Sequence, residues 1–243
     1  KLTRHTRDNL RGVRVIRAFN HENEQVEAFD GANTAHAKET RALAKTAMRK
    51  LGVTPRQYRK MLSALRAYLH VVERSMSKRE WEQISYATVP SYAMKNYRKA
   101  FDKHDPIRFG NYKTSLVKGE TKVNAATLYP YDLAGHYINK HGKMDTIIEE
   151  QWKALPNYVS GENNFIIMAD VSGSMSWNGG RPMATSVGLA TYFAQRNQGA
   201  YKNLYMTFTN QPHFVHLRDK CSLAEACRQV MSTDVGYNTN LSA

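Results

Sequence analysis

The chain has 243 residues, 35 Lys and Arg against 21 Asp and Glu, and a formal net charge of +14. That length is enough for one or two domains with a real core, and 42% hydrophobic residues with 14 Tyr and 3 Trp exclude a wholly disordered chain. No apolar window approaches the roughly 18 residues of a membrane span, no apolar stretch follows Lys1 to suggest a signal peptide, and two Cys make no disulfide framework, so a reducing, cytoplasmic setting is expected.

Residues 1–45 carry helical spacing. Val13, Ile16, Phe19, Val26 and Phe29 form an apolar stripe, flanked by Arg4, Arg7, Arg11, Arg14 and Arg17. The string Asn9 to Asn20, with Glu22, Glu24, Phe29 and Ala32-Asn33 after it, resembles a cytoplasmic helical segment of ABC exporter membrane domains. The sequence has neither a phosphate-cradling G-x-x-x-x-G-K-[ST] loop nor a flanking membrane helix, so the resemblance does not imply transport. A junction with a different protein is expected near Ala42–Arg49.

Residues 46–160 read as a series of helices. Thr54 caps one that has Pro55 at its first position, and Tyr58, Met61, Leu62, Leu65, Leu69 and Val72 make its apolar face. Ser77 and Glu80 predict a capping box before Trp81. Pro90-Ser91 opens a further helix, His104-Asp105-Pro106 ends it and starts the next, and Lys118-Gly119 closes that one. Helices are also expected after Leu128–Leu133 and through Ile147 to Leu155, stopped by Pro156.

At Ser160–Asn164 the composition changes. Residues 161–243 hold six basic and five acidic residues, whereas residues 1–160 carry a net charge of +13. The expected domains are therefore 1–45, 46–160 and 161–243. A field of that size attracts polyanions, although a solvated Lys/Arg-rich surface accounts for it equally well. Past the break, Phe165–Val171 predicts a strand buried on both faces, residues 182–196 a helix, and Leu204–Thr209 and His213–Leu217 an antiparallel pair. Ser222 and Glu225 open a last helix through a capping box.

The sharpest motif is Asp170-Val171-Ser172-Gly173-Ser174, where the first of these strands turns into a helix. In open α/β sheets ligands sit at the carboxyl ends of strands. Asp170, Ser172 and Ser174 offer one carboxylate and two hydroxyls, hard oxygens that suit Mg²⁺ or Mn²⁺, and no His/Cys cluster points to Zn²⁺. The bland alternative is a strand-to-helix turn whose hydroxyls merely cap. The motif resembles the metal-ion-dependent adhesion site of von Willebrand factor A domains. By that resemblance Tyr237-Asn238-Thr239-Asn240-Leu241 supplies a fourth ligand, Thr239, with Thr233 as runner-up, and the chain stops before the fourth strand.

Further strings, Ser75–Trp81, Val89–Phe101, Leu128–Tyr131 and Gln151–Pro156, make residues 46–243 resemble a cytosolic von Willebrand A family related to the TROVE module of Ro ribonucleoproteins. The resemblance implies an α+β fold: a helical N-terminal part, then a partial doubly wound α/β domain of von Willebrand A (Rossmann-like) type. It further implies a non-enzymatic module whose Mg²⁺ or Mn²⁺ takes a carboxylate from a protein partner. No G-x-S-x-G elbow frames Ser172 or Ser174 as a nucleophile. An alternative is binding of structured RNA through Lys95, Arg98, Lys99 and Lys103, which interleave with Tyr92, Tyr97 and Phe101. A third reading is a fusion or fragment without function of its own. No membrane insertion is expected.

Overall fold

The computed structural model describes residues 41–140, 142–159, 165–209 and 212–232. The exporter-like string, Thr233 and Thr239 lie outside the described residues. The chain divides into two compact units between Lys78 and Arg79. By this division residues 1–78 carry +10 of the net charge and residues 79–243 carry +4.

In the first unit the described residues form three helices: α1 (residues 41–51), α2 (Pro55–Tyr68) and α3 (Val72–Lys78). Gly52, at φ 64°, ends α1 in the left-handed region that glycine tolerates. The start of α2 is the predicted cap made complete: Thr54 Oγ1 accepts from Gln57 N–H, and Gln57 Oε1 accepts from Thr54 N–H. The box expected at Ser77 and Glu80 does not form. Ser77 Oγ donates to Glu73 O inside α3, Arg79 takes a left-handed φ of 63°, and Trp81–Gln83 is a 3₁₀ turn with no side-chain cap. A hydroxyl that bonds a carbonyl four residues behind it need not cap the next helical turn.

The second unit is mixed α and β. Its helices are α4 (Ser91–His104), α5 (Pro106–Val117), α6 (Pro130–Lys140), α7 (Thr146–Lys153), α8 (Trp177–Arg196) and α9 (Leu223–Ser232). Its strands are β1 (Met168–Asp170), β2 (Leu204–Phe208) and β3 (Phe214–His216), in the order β1-β2-β3. β1 is parallel to β2, and β2 is antiparallel to β3. No described helix is long and apolar enough to cross a membrane.

Two apolar groups hold this unit together. Around α4 and α5, Phe101 and Phe109 are fully buried, and their rings meet Tyr86 at 5.2 and 4.9 Å between centroids. Burial also pushes the Tyr112 phenol up to about 12. The larger core runs from Leu133, Ala134 and Ile148 of the helices to Val171, Val187 and Tyr205 of the sheet region. Helices before residue 160 and the sheet after it thus share one core. α8 packs on β1 and β2, and α6 lies along α8.

Gly188 permits that last approach. A Cβ there would stand 3.1 Å from the Pro130 carbonyl carbon and 3.2 Å from Ala134 Cβ. Gly188→Ala should therefore destabilise by about 1 kcal/mol in urea unfolding, overpacking outweighing the gain in helix propensity. A stabilised variant would show that α6 and α8 can separate without cost.

The first strand departs from expectation. Met168 is 56% exposed while Ala169 is buried, so β1 is covered on one face, not two. The apolar run predicted cover on both sides. Among the described residues the helix packed on β1 is α8, and β2 is its paired neighbour.

Candidate metal centre

The parallel register places Asp170 opposite Phe208, so the carboxyl ends of β1 and β2 lie side by side. After Asp170 the chain turns through a 3₁₀ segment, Gly173–Ser176, into α8. Ser172 N–H donates to Asp170 Oδ1 at 2.9 Å, and Met175 N–H donates to Ser172 O at 3.0 Å. These two bonds fold the motif back on the strand end. The Ser172 and Ser174 hydroxyl oxygens then lie 3.0 Å apart. Ser172 is buried, Asp170 is half-buried and Ser174 is exposed, so the group opens to solvent on the Ser174 side.

The entry to α8 is irregular. Gly179 and Gly180 hold φ of 69° and 67°, a backbone that L side chains rarely adopt, and Pro182 follows. The helix thus begins five residues before the expected start at Pro182, which lies inside it and lacks the N–H that would bond back to the preceding turn. Trp177, 72% exposed, stands directly after the motif. Arg181, a turn further along, donates to the Tyr131 hydroxyl at 3.0 Å and sits 4.7 Å from that ring's centroid.

The oxygen set fits a small hard cation. The 3.0 Å between the seryl oxygens is a hydrogen bond; it is also about the spacing of two adjacent vertices of an octahedron with bonds of about 2.1 Å, so a cation would take the place of that bond. Among the described residues no three of His, Cys, Asp and Glu gather as metal ligands, so a cation here would rest on Asp170 and hydroxyls. Sequence reasoning assigned no part to Thr209. It is buried just past the end of β2, beside the motif's strand, and the only sequence signal for it is a hydroxyl closing an alternating strand.

The two cysteines are free thiols. Burial pushes the Cys227 thiol up, and Cys221 is raised too, first by burial. Neither is primed as a nucleophile.

The four cations proposed for RNA separate into two kinds. Lys99 and Lys103 are exposed on α4. Lys95 Nζ pairs with Asp132 at 3.2 Å. Arg98 is buried: its Nε donates to Asp145 at 2.6 Å, and its other nitrogens meet Lys95 O and His136 Nδ1. The aromatics divide likewise. Phe101 is core, while Tyr92 is 39% exposed and its hydroxyl donates to Asp132 at 2.5 Å.

Comparison with known proteins gives families without an assigned activity. The profile of a domain of unknown function, DUF2828, matches residues 24–163, and that of a second, DUF7788, matches residues 164–243. The chain is 32% identical over 207 residues to uncharacterized protein L728 of Acanthamoeba polyphaga mimivirus, an overlap of 79% of this chain and 35% of that protein. The chain thus spans about a third of the length of the curated relative it matches. No solved structure matches significantly.

Proposed function

The chain belongs to the DUF2828 family, and from the oxygen cluster at Asp170–Ser174, which lies beyond that family's match, we propose that it is a non-enzymatic binding module built on a divalent cation. Asp170, Ser172 and Ser174 would hold Mg²⁺ or Mn²⁺ at the carboxyl end of β1, with Thr239 as a further ligand. The cation would supply a Lewis-acidic position to a carboxylate from a protein partner. The observation that carries this is the convergence of a half-buried carboxylate and two seryl hydroxyls, hydrogen bonded to each other at 3.0 Å, at the carboxyl end of β1. The resemblance of Asp170–Ser174 to the adhesion-type metal site of von Willebrand A domains supports it.

Isothermal titration of the chain with Mg²⁺ and Mn²⁺ tests the reading. Binding should be measurable, and Asp170→Ala should lower affinity at least about tenfold, since the carboxylate is the charged ligand. Absence of heat with both ions, or equal affinity in Asp170→Ala, would sink it. The RNA reading is the weaker of the two for α4, because Lys95 and Arg98 are engaged with Asp132 and Asp145.

A further inference from the structure

The proposed metal site leaves the chain's largest concentration of charge without a role. Residues 41–78 contain ten Lys and Arg and a single acid, Glu73. Within them α2 is divided lengthwise. At about 100° per residue, Tyr58, Met61, Leu62, Leu65 and Tyr68 fall on one arc of about 120°, and the C-cap Leu69 continues it. Arg56, Arg59, Lys60 and Arg66 fall on the opposite arc. Tyr58, Met61 and Leu62 are half-buried, and the C-terminal end of the arc is open: Leu65, Tyr68 and Leu69 are 46%, 80% and 67% exposed. Beside it, a groove of about 540 Å³ between α2 and α3 is lined by Arg66, Arg74 and Lys78, with Ser63, Ser77 and Glu73.

From this we infer that α2 is a membrane-surface helix that docks the chain on anionic lipid. Fourteen residues are too few to span a bilayer of about 30 Å, so the helix lies in the interface. Its apolar arc enters the acyl boundary, and Arg56, Arg59, Lys60 and Arg66 remain at headgroup level, their stems snorkelling. The groove of Arg66, Arg74 and Lys78 opens on the basic side of α2, away from the apolar arc, and adds positive field at the surface. Charge complementarity decides the occupant. A second copy would bring ten cations of each chain against ten of the other, with one acid apiece to offset them. RNA would satisfy the basic arc and leave Leu65, Tyr68 and Leu69 in water. An anionic bilayer takes both arcs at once.

Co-sedimentation of the full chain with vesicles tests this, using phosphatidylcholine alone and with about 30% phosphatidylserine. Partitioning should rise at least about tenfold with the anionic lipid and fall again in about 0.5 M salt. The double variant Leu65→Glu/Leu69→Glu should lose about tenfold, and so should Arg59→Glu/Lys60→Glu. All four side chains are exposed, so unchanged circular dichroism should accompany both losses. The inference is overturned if anionic vesicles do not retain the chain, or if the leucine variant binds as well as the parent. It is equally overturned if the same leucines hold a dimer in analytical ultracentrifugation and vesicles do not bind, or if a structured RNA is bound through Arg59 and Lys60 while vesicles are not.

Discussion

Asp145→Ala should destabilise the second unit by about 3–5 kcal/mol, a large part of the 5–15 kcal/mol typical of a domain. Asp145 does two things at once. As N-cap of α7 its Oδ1 accepts from the N–H groups of Ile147 and Ile148. Its Oδ2 accepts from Arg98 Nε at 2.6 Å, and the Arg98 side chain is 9% exposed. Loss of the cap alone costs about 1 kcal/mol. The greater loss is the guanidinium left in the interior without its counter-charge. The remaining partners, Lys95 O and His136 Nδ1, are neutral acceptors. Because a guanidinium can only donate, His136 Nδ1 must accept, which places the imidazole proton on Nε2. Asp145→Asn retains a capping oxygen and removes the charge, so it should fall between parent and Ala. Urea midpoints for the two variants separate the effects. Equal stability of Asn and parent would mean that the charge on Asp145 contributes nothing to holding Arg98.

That pair also marks the limit of what could be read from the sequence. Thr54, Pro90, Asp105-Pro106 and Ser222 with Glu225 announce helix starts because a cap is a local matter of three or four residues, and all four start helices here. The motif from Asp170 to Ser174 is local too, and its bonds close within six residues, Asp170 to Met175. Arg98 and Asp145 are 47 residues apart, and nothing in the string Lys95–Lys103 distinguishes the buried arginine from exposed Lys99. Burial of one side of a helix is set by partners from elsewhere in the chain. The same reason explains β1: an apolar run fixes a strand, but whether one or two layers cover it depends on distant elements. The division of charge at Lys78 was likewise invisible, because the composition changes at residue 160 and the contacts change at 78.

Glu149→Ala should cost about 3 kcal/mol or more, and its effect should reach across the unit to α9. Every early N–H of α9 has an acceptor. Ser222 N–H gives to Glu225 Oε2, Glu225 N–H to Ser222 Oγ, and Ala226 N–H to Ser222 O. The remaining two, Leu223 and Ala224, give to Glu149 of α7 at 2.8 and 3.0 Å, in the buried interior. A carboxylate at a helix N-terminus also meets the positive end of the helix dipole. Burial first, and then Glu149, push the nearby Tyr137 phenol up from its ordinary value. Truncation to Ala strands both N–H donors away from water. Glu149→Gln retains one acceptor oxygen but turns an NH₂ toward a donor, so it should recover part of the loss. Glu225→Ala removes an exposed capping carboxylate and should cost about 1 kcal/mol or less. Amide hydrogen exchange makes the comparison specific. In Glu149→Ala, Leu223 and Ala224 should lose protection before the rest of α9, whereas in Glu225→Ala they should retain it. Equal costs for Glu149→Ala and Glu225→Ala would mean that the bond between α7 and α9 adds nothing to what the local cap supplies.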